Sequence, residues 1–229
     1  MQEDRVRLGA SAARATVLFI VFLAILIFAT AGTLNYWQGW LYLANFTFWL
    51  AVSSWYVVTY DPALAQRRMR SGPTAETEPA QKRIQAYNSV VMIALYLVSC
   101  LDYRFSWSSV PTAIVIIGNI LTALGFIGCL IVFRQNSYAA ATVGVQAGQT
   151  VVSDGLYGIV RHPMYSAALL LFVGTPLALG SYWGLLPVLL IVGGLVARLT
   201  DEEKHLRLKL EGYAAYCEKV RYRLIPLFY

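Results

Sequence analysis

Charge is what this 229-residue sequence has least of: 13% of its residues are Asp, Glu, Lys or Arg, against 58% hydrophobic. That balance, with a positive mean hydropathy, lies outside the profile of a soluble domain and puts the chain in a membrane. Cysteine is scarce too. Cys100, Cys129 and Cys217 stand far apart, which argues against a disulfide framework or a zinc site, so no metal is expected. No G-x-G-x-x-G occurs, no linker rich in Pro, Gly or Ser divides the chain, and no repeat or low-complexity tract is present. Residues 1–229 therefore read as a single membrane domain. With no base-reading motif, the net charge of +6 suits an anionic lipid surface better than nucleic acid.

What is abundant is apolar length. A spanning helix needs roughly 20 mostly apolar residues, and Ala15–Thr33, Gly39–Val58 and Pro111–Phe133 each supply that without an ionisable side chain. Three shorter candidates follow: Tyr87–Leu101, Met164–Leu179 and Tyr182–Leu199, the last two parted by Gly180 and Ser181 and read as a tight helical hairpin. The expected fold is an all-α, multi-pass integral membrane bundle of five to six membrane helices. Four spans belong to residues 1–133, and a cytoplasmic amphipathic helix, with Leu206, Leu210, Tyr213 and Cys217 as its buried stripe, closes residues 134–229. If all six segments cross, every Lys and Arg of the 18 except Arg104 falls on one side, and the positive-inside bias makes both termini cytoplasmic. The membrane would be the inner membrane of a bacterial cell or the endoplasmic reticulum of a eukaryotic one. Ala29-Thr30-Ala31 has the form of a signal-peptidase site, but Glu3, Asp4 and the length of the apolar run favour a retained span.

The aromatic tips "LNYWQGW" and "YRFSWSS" read as interfacial anchors, and loop 59–86 as solvated or lipid-surface, with a lid over a site as the lesser reading. The stretch "LYGIVRHPMY" is different. Pro163 sits where a new helix begins, leaving free N–H groups and the positive end of a helix dipole as a place for an anion, strengthened by Arg161, with Tyr165 offering a ring face. The alternative is a snorkelling Arg161 and a capping His162. Arg198 and Glu202, four apart, share a helix face, and the hairpin returns them to the same boundary as His162 and Tyr165.

These residues resemble the isoprenylcysteine carboxyl methyltransferase family and, more broadly, membrane methyltransferases that include phospholipid N-methyltransferases. The resemblance rests on "GLYGIVRHPMY", on Arg198, Glu202, Glu203 and Leu206 in R-x-x-x-E-E-x-x-L, and on "GYAAYCEKVRYRLIP", and it covers about the last 90 residues. It implies S-adenosylmethionine as methyl donor and a lipophilic acceptor, a carboxylate or thiol of isoprenylcysteine-like kind, entering from the bilayer. By position it makes Gln149, Thr150, Val151, Val152, Tyr157, His162, Pro163, Met164 and Tyr165 the cofactor pocket, and has Arg198 and Glu202 face the acceptor as the catalytic pair. Arg198 would orient a carboxylate acceptor; Glu202 would be the base for a thiol or amine. Two departures stand out: Ala167 replaces a glycine common in the family, and Gln149 replaces a histidine.

Two other readings account for part of the pattern. Sterol reductases resemble this architecture in their C-terminal region, which implies NADPH. A non-enzymatic transport or interaction protein would explain small-residue steps such as Gly118–Thr122 and Gly193–Ala197 as packing surfaces, but leaves the converging polar clusters without a role.

Overall fold

The computed structural model describes residues 2–229, and these are all-helical, with no strand among them. The helices are α1 (Gln2–Ala31), α2 (Trp37–Tyr60), α3 (Pro62–Met69), α4 (Pro79–Phe105), α5 (Thr112–Gln135), α6 (Pro163–Ala178), α7 (Leu185–Lys209) and α8 (Tyr213–Lys219). Four of them are long and apolar enough to cross a membrane, over Arg5–Ala31, Trp37–Tyr60, Pro79–Phe105 and Thr112–Gln135. α4 outgrows its apolar stretch because Pro79 opens it at the first helical position, eight residues before Tyr87.

The expected hairpin is α6 and α7. Its turn is made by Gly180, whose φ of +71° an L side chain rarely adopts. At 16 residues, α6 rises only about 24 Å, short of the roughly 30 Å hydrocarbon core. It is held instead by α5, along a seam of small residues. A Cβ on Gly118 would lie 2.2 Å from Ala178 N, and one on Gly125 would lie 2.6 Å from Leu171 Cγ. Such close approach is how helices gain van der Waals contact where lipid removes the hydrophobic drive to associate. Ala167 belongs to this seam: a Cβ on Gly128 would come within 2.8 Å of Ala167 Cβ. The departure from glycine at 167 therefore concerns helix packing, with Gly128 making room. The second small-residue step is different from expectation. Gly193 has nothing within 4 Å, and it is Gly194 that packs, against Asn88 of α4.

At the end of the bundle away from most of the charge, side chains tie the turns together. Tyr36 is fully buried, stacks on Tyr103 at 3.9 Å between ring centroids, and donates its hydroxyl to the Leu179 carbonyl. It is core and not an interfacial anchor; Trp37, Trp40, Trp107 and Trp183 remain about half exposed, as anchors would. Asp102, fully buried, accepts from Ser108 N at 2.8 Å, Ser108 Oγ at 2.6 Å, Ser181 Oγ at 2.6 Å and Trp183 N at 3.4 Å.

At the opposite end, α7 continues as a charged helix. The amphipathic stripe expected through Cys217 is not one helix: the chain breaks over Leu210–Gly212, with Gly212 at φ +81°, before the short α8. Leu210, Tyr213, Tyr216, Cys217 and Val220 still form one buried cluster. The tail then returns, and the carbonyls of Tyr222 and Arg223 accept from Arg161 N and His162 N, each at 2.9 Å.

Candidate active site

A cavity of about 510 Å³ opens at this charged end. Its lower wall is apolar, with Met92 of α4, Cys129 of α5, Leu171 and Phe172 of α6, and Ile191 and Leu195 of α7; its upper wall is polar, drawn from α3, α4, residues 138–152 and the start of α6. The amphipathic lining follows from where it sits, at the point where apolar helix faces give way to charged ones. All of Gln149, Thr150, Val151, Val152, Tyr157, His162, Pro163, Met164 and Tyr165 border it, as do Arg198 and Glu202.

The hydrogen bonds assign these groups unequal freedom. Arg198, 6% exposed, has five N–H donors, and each has a protein acceptor. Nε donates to Tyr165 Oη at 3.2 Å, Nη1 to Gln81 Oε1 and Gln85 Oε1 at 3.1 Å each, and Nη2 to Glu76 Oε1 at 2.7 Å and the Ala141 carbonyl at 2.9 Å. In this arrangement no N–H of Arg198 is left over for the acceptor carboxylate it was expected to orient; Arg198 joins α4, α7, the 138–152 segment and loop 70–78 around Tyr165.

The two neighbouring glutamates also differ. Glu203 is 4% exposed and sits among two arginines and a histidine, with Arg161 Nε at 2.8 Å, His162 Nε2 at 3.2 Å and Arg223 Nε at 3.2 Å. Burial alone would raise its pKa; the hydrogen bond and charge of His162, then Arg161 and Arg223, hold the carboxyl below its usual range. Glu202, one residue and about 100° round the helix, borders the cavity. Its Oε2 accepts from Tyr165 Oη at 2.6 Å, and Oε1 has no protein donor among the described residues. Of the two glutamates, Glu202 is the one that borders the cavity.

The helix start is more occupied than its sequence suggests. Arg161 and the His162 ring edge are committed to Glu203, and their N–H groups to the tail. Tyr165 N donates to His162 O at 3.0 Å, so Met164 keeps the single backbone N–H without a backbone partner in that first turn. The His162 ring stacks beside Tyr165 at 5.6 Å. Gln149 turns back to accept from Gln146 N at 2.9 Å. Tyr157 Oη accepts from Asn136 Nδ2 at 2.9 Å, and burial pushes its phenol up to about 12.

Several contributors lie where sequence reasoning placed little. Loop 59–86, expected to be solvated, supplies Arg68, Glu76, Gln81 and Gln85. Glu76, 3% exposed, also accepts from Val143 N at 3.1 Å and so fastens the 138–152 segment over the cavity. Nothing in "TAETEP" marks one glutamate as buried, since the partner that buries it is 122 residues away. Tyr213, read as packing, is packed and borders the cavity as well. Its hydroxyl and Asn88 Oδ1 are buried lining atoms with no partner.

With this geometry in view, comparison with known proteins is informative. Residues 113–211 match the phospholipid methyltransferase family. The matched stretch runs through α5, the 138–152 segment, α6 and α7, and so includes every residue expected for the cofactor and catalytic roles. It agrees with the membrane methyltransferase resemblance drawn from the motifs. The chain is also similar to a Delta(14)-sterol reductase of Mus musculus, 32% identical over 106 residues that make up 42% of this chain and 25% of that protein. The chain thus spans about a quarter of the length of that relative.

Proposed function

We propose that this protein moves a methyl group from S-adenosylmethionine to a lipophilic acceptor at the cytoplasmic face of a membrane. The observation that carries the proposal is Glu202: a carboxylate with one oxygen unpartnered, facing an amphipathic cavity inside the stretch that matches phospholipid methyltransferases. The residues present suit the donor. Tyr157, Tyr213 and Tyr216 offer ring faces for an adenine, Tyr165 and Glu202 offer electron density for a sulfonium, and Asn88 Oδ1 and Tyr213 Oη are buried polar atoms in want of partners. When bound, the donor supplies an electrophilic methyl group and leaves as a neutral thioether.

The chain's own part is positioning and proton removal. Met92, Leu171, Phe172, Ile191 and Leu195 would hold a lipid tail, aiming its head at Glu202. A thiol head would give its proton to Glu202 Oε1 as its sulfur takes the methyl group; Tyr165, held by Arg198, fixes the other carboxylate oxygen. A carboxylate acceptor would meet like charge and no free Arg198 N–H, so a thiol of isoprenylcysteine-like hydrophobicity is favoured. The cytoplasmic placement of both termini and of the site is supported by Arg104, the one Lys or Arg expected outside. It lies at the far end beside Gly32.

The likeness to the sterol reductase supports a second reading, hydride transfer from NADPH in the same cavity. Calorimetric titration of detergent-purified protein with S-adenosylhomocysteine and, separately, NADPH decides between them. Saturable binding of the first is expected; binding of NADPH alone overturns the methyl-transfer reading.

A further inference from the structure

The sequence places an anion site at Arg161 and the start of α6; Arg161 does border the cavity, but its charge is paired with Glu203 through Nε at 2.8 Å, and most of the local backbone N–H groups are bonded. A different cation borders the cavity. Arg68, on the last turn of α3, lies with its guanidinium carbon 4.5 Å from the centre of the Phe133 ring. Its Nη1 donates to the Ala139 carbonyl at 3.0 Å and reaches Met164 Sδ at 3.5 Å. Nε and Nη2 have no protein acceptor, and among the described residues no carboxylate comes within ion-pair distance of Arg68.

This is an unusual state for arginine. Among the described residues the buried guanidiniums, Arg161 and Arg198, each have a glutamate within 3 Å, because a charge withdrawn from water is costly unless paired. Arg68 is half-buried, burial lowers its pKa, and its stacking on Phe133 and its contact with Met164 fix it in place at the cavity wall with three N–H donors unassigned. A planar fork of that kind matches a carboxylate.

We propose that Arg68 is the anion-binding residue of the cavity and receives the carboxylate of the donor's amino-acid end. The inference rests on the methyl-transfer reading. It assigns a ligand-binding role to a residue outside the stretch that matches the methyltransferase family, and it completes the donor's charge pattern: a cation for the carboxylate beside Met164, and the Glu202 carboxylate with Tyr165 for the sulfonium. The packing of α3, beside α2 and α1 and against Phe133 of α5, suits this role. Asp61 caps α3 by accepting from Leu64 N at 2.9 Å, and Leu64 and Ala65 bury themselves against Phe133, so the helix presents Arg68 at a set depth.

The test compares two probes on three full-length proteins. S-adenosylhomocysteine carries the carboxylate; 5′-methylthioadenosine shares the adenosine and thioether but lacks the amino-acid end. Each is titrated calorimetrically into wild type, Arg68→Gln and Arg68→Lys. A charged hydrogen bond of ordinary strength predicts that Arg68→Gln weakens S-adenosylhomocysteine by about 10- to 100-fold, leaves methylthioadenosine unchanged, and that Arg68→Lys recovers part of the loss. Equal weakening of both probes, or of neither, overturns the role of Arg68 while the donor assignment stands. Failure of wild type to bind S-adenosylhomocysteine overturns the donor assignment and this inference with it. If Arg68→Gln does not purify folded, Arg68→Lys against wild type carries the same discrimination, because the point charge remains while the two-pronged geometry is lost.

Discussion

Two carboxylates at opposite ends of the bundle, Asp102 buried and Glu202 half-buried, show how one functional group serves two purposes. Asp102 accepts four bonds from Ser108, Ser181 and Trp183, all neutral donors, and lies away from the cavity described above. Glu202 accepts one bond, from Tyr165, and turns its other oxygen to open space. Full satisfaction fixes a turn; partial satisfaction leaves a lone pair for a ligand. Buried polar groups are normally paired, as Asp102 is; Glu202, at the cavity wall, keeps one oxygen without a protein donor.

That contrast can be broken from either side. Glu202→Gln should lower methyl transfer by about 100-fold or more, in keeping with the loss of a general base, with S-adenosylhomocysteine affinity held near wild type; unaltered turnover in a radiolabelled-methyl assay would remove Glu202 from the chemistry. Asp102→Ala should behave the opposite way, costing about 2–4 kcal/mol of stability because several buried donors lose their acceptor at once. Thermal unfolding in detergent reads that loss, and donor affinity per folded molecule should not move.

A gentler perturbation sharpens the comparison. Glu76→Gln keeps a hydrogen-bond acceptor for Arg198 but removes its charge partner, and should reduce turnover by about 10-fold with a smaller change in donor affinity. If affinity falls as far as turnover, the 138–152 segment and not Tyr165 is what Glu76 controls. The smallest effect is expected from pH. Glu203 has a folded-state pKa below its ordinary value of 4.5, so its stabilisation is fully present above that value and is lost as pH falls through the depressed one. The variant Glu203→Gln should therefore melt lower than wild type at pH 7, and the difference should shrink only as pH falls below the ordinary carboxylate range.

The spans were legible because bilayer thickness sets a length that composition can be counted against. The hairpin was legible because Gly180 and Ser181 interrupt an otherwise continuous apolar run. The convergence of His162, Tyr165, Arg198 and Glu202 followed from topology alone, since the hairpin returns one pair to the level of the other. What stayed hidden depends on pairing between distant segments. Glu76 looks like any loop glutamate until Arg198 is beside it, Tyr36 looks like a belt residue until Leu179 offers a carbonyl, and Arg161 looks free until Glu203 is seen between it and Arg223. The break at Gly212 was missed for a related reason: the apolar stripe runs through it unbroken in spacing, although the backbone does not.

The ties at the Asp102 end have a mechanical consequence. Tyr36 to Leu179, Tyr103 to Asn35 at 2.6 Å and Ser181 to Asp102 at 2.6 Å fasten three interhelical turns to one another, while the apolar wall of the cavity at the other end is held by side-chain contact. The α6–α7 pair is fastened at the cavity end as well, by Tyr165 to Glu202 and His162 to Glu203. Between the two sets of ties lie the stretches that carry Phe172 and Ile191, with no side-chain hydrogen bond across the pair among the described residues. A lipid tail drawn sideways from the bilayer would meet its softest wall there, because only side-chain contact would have to give.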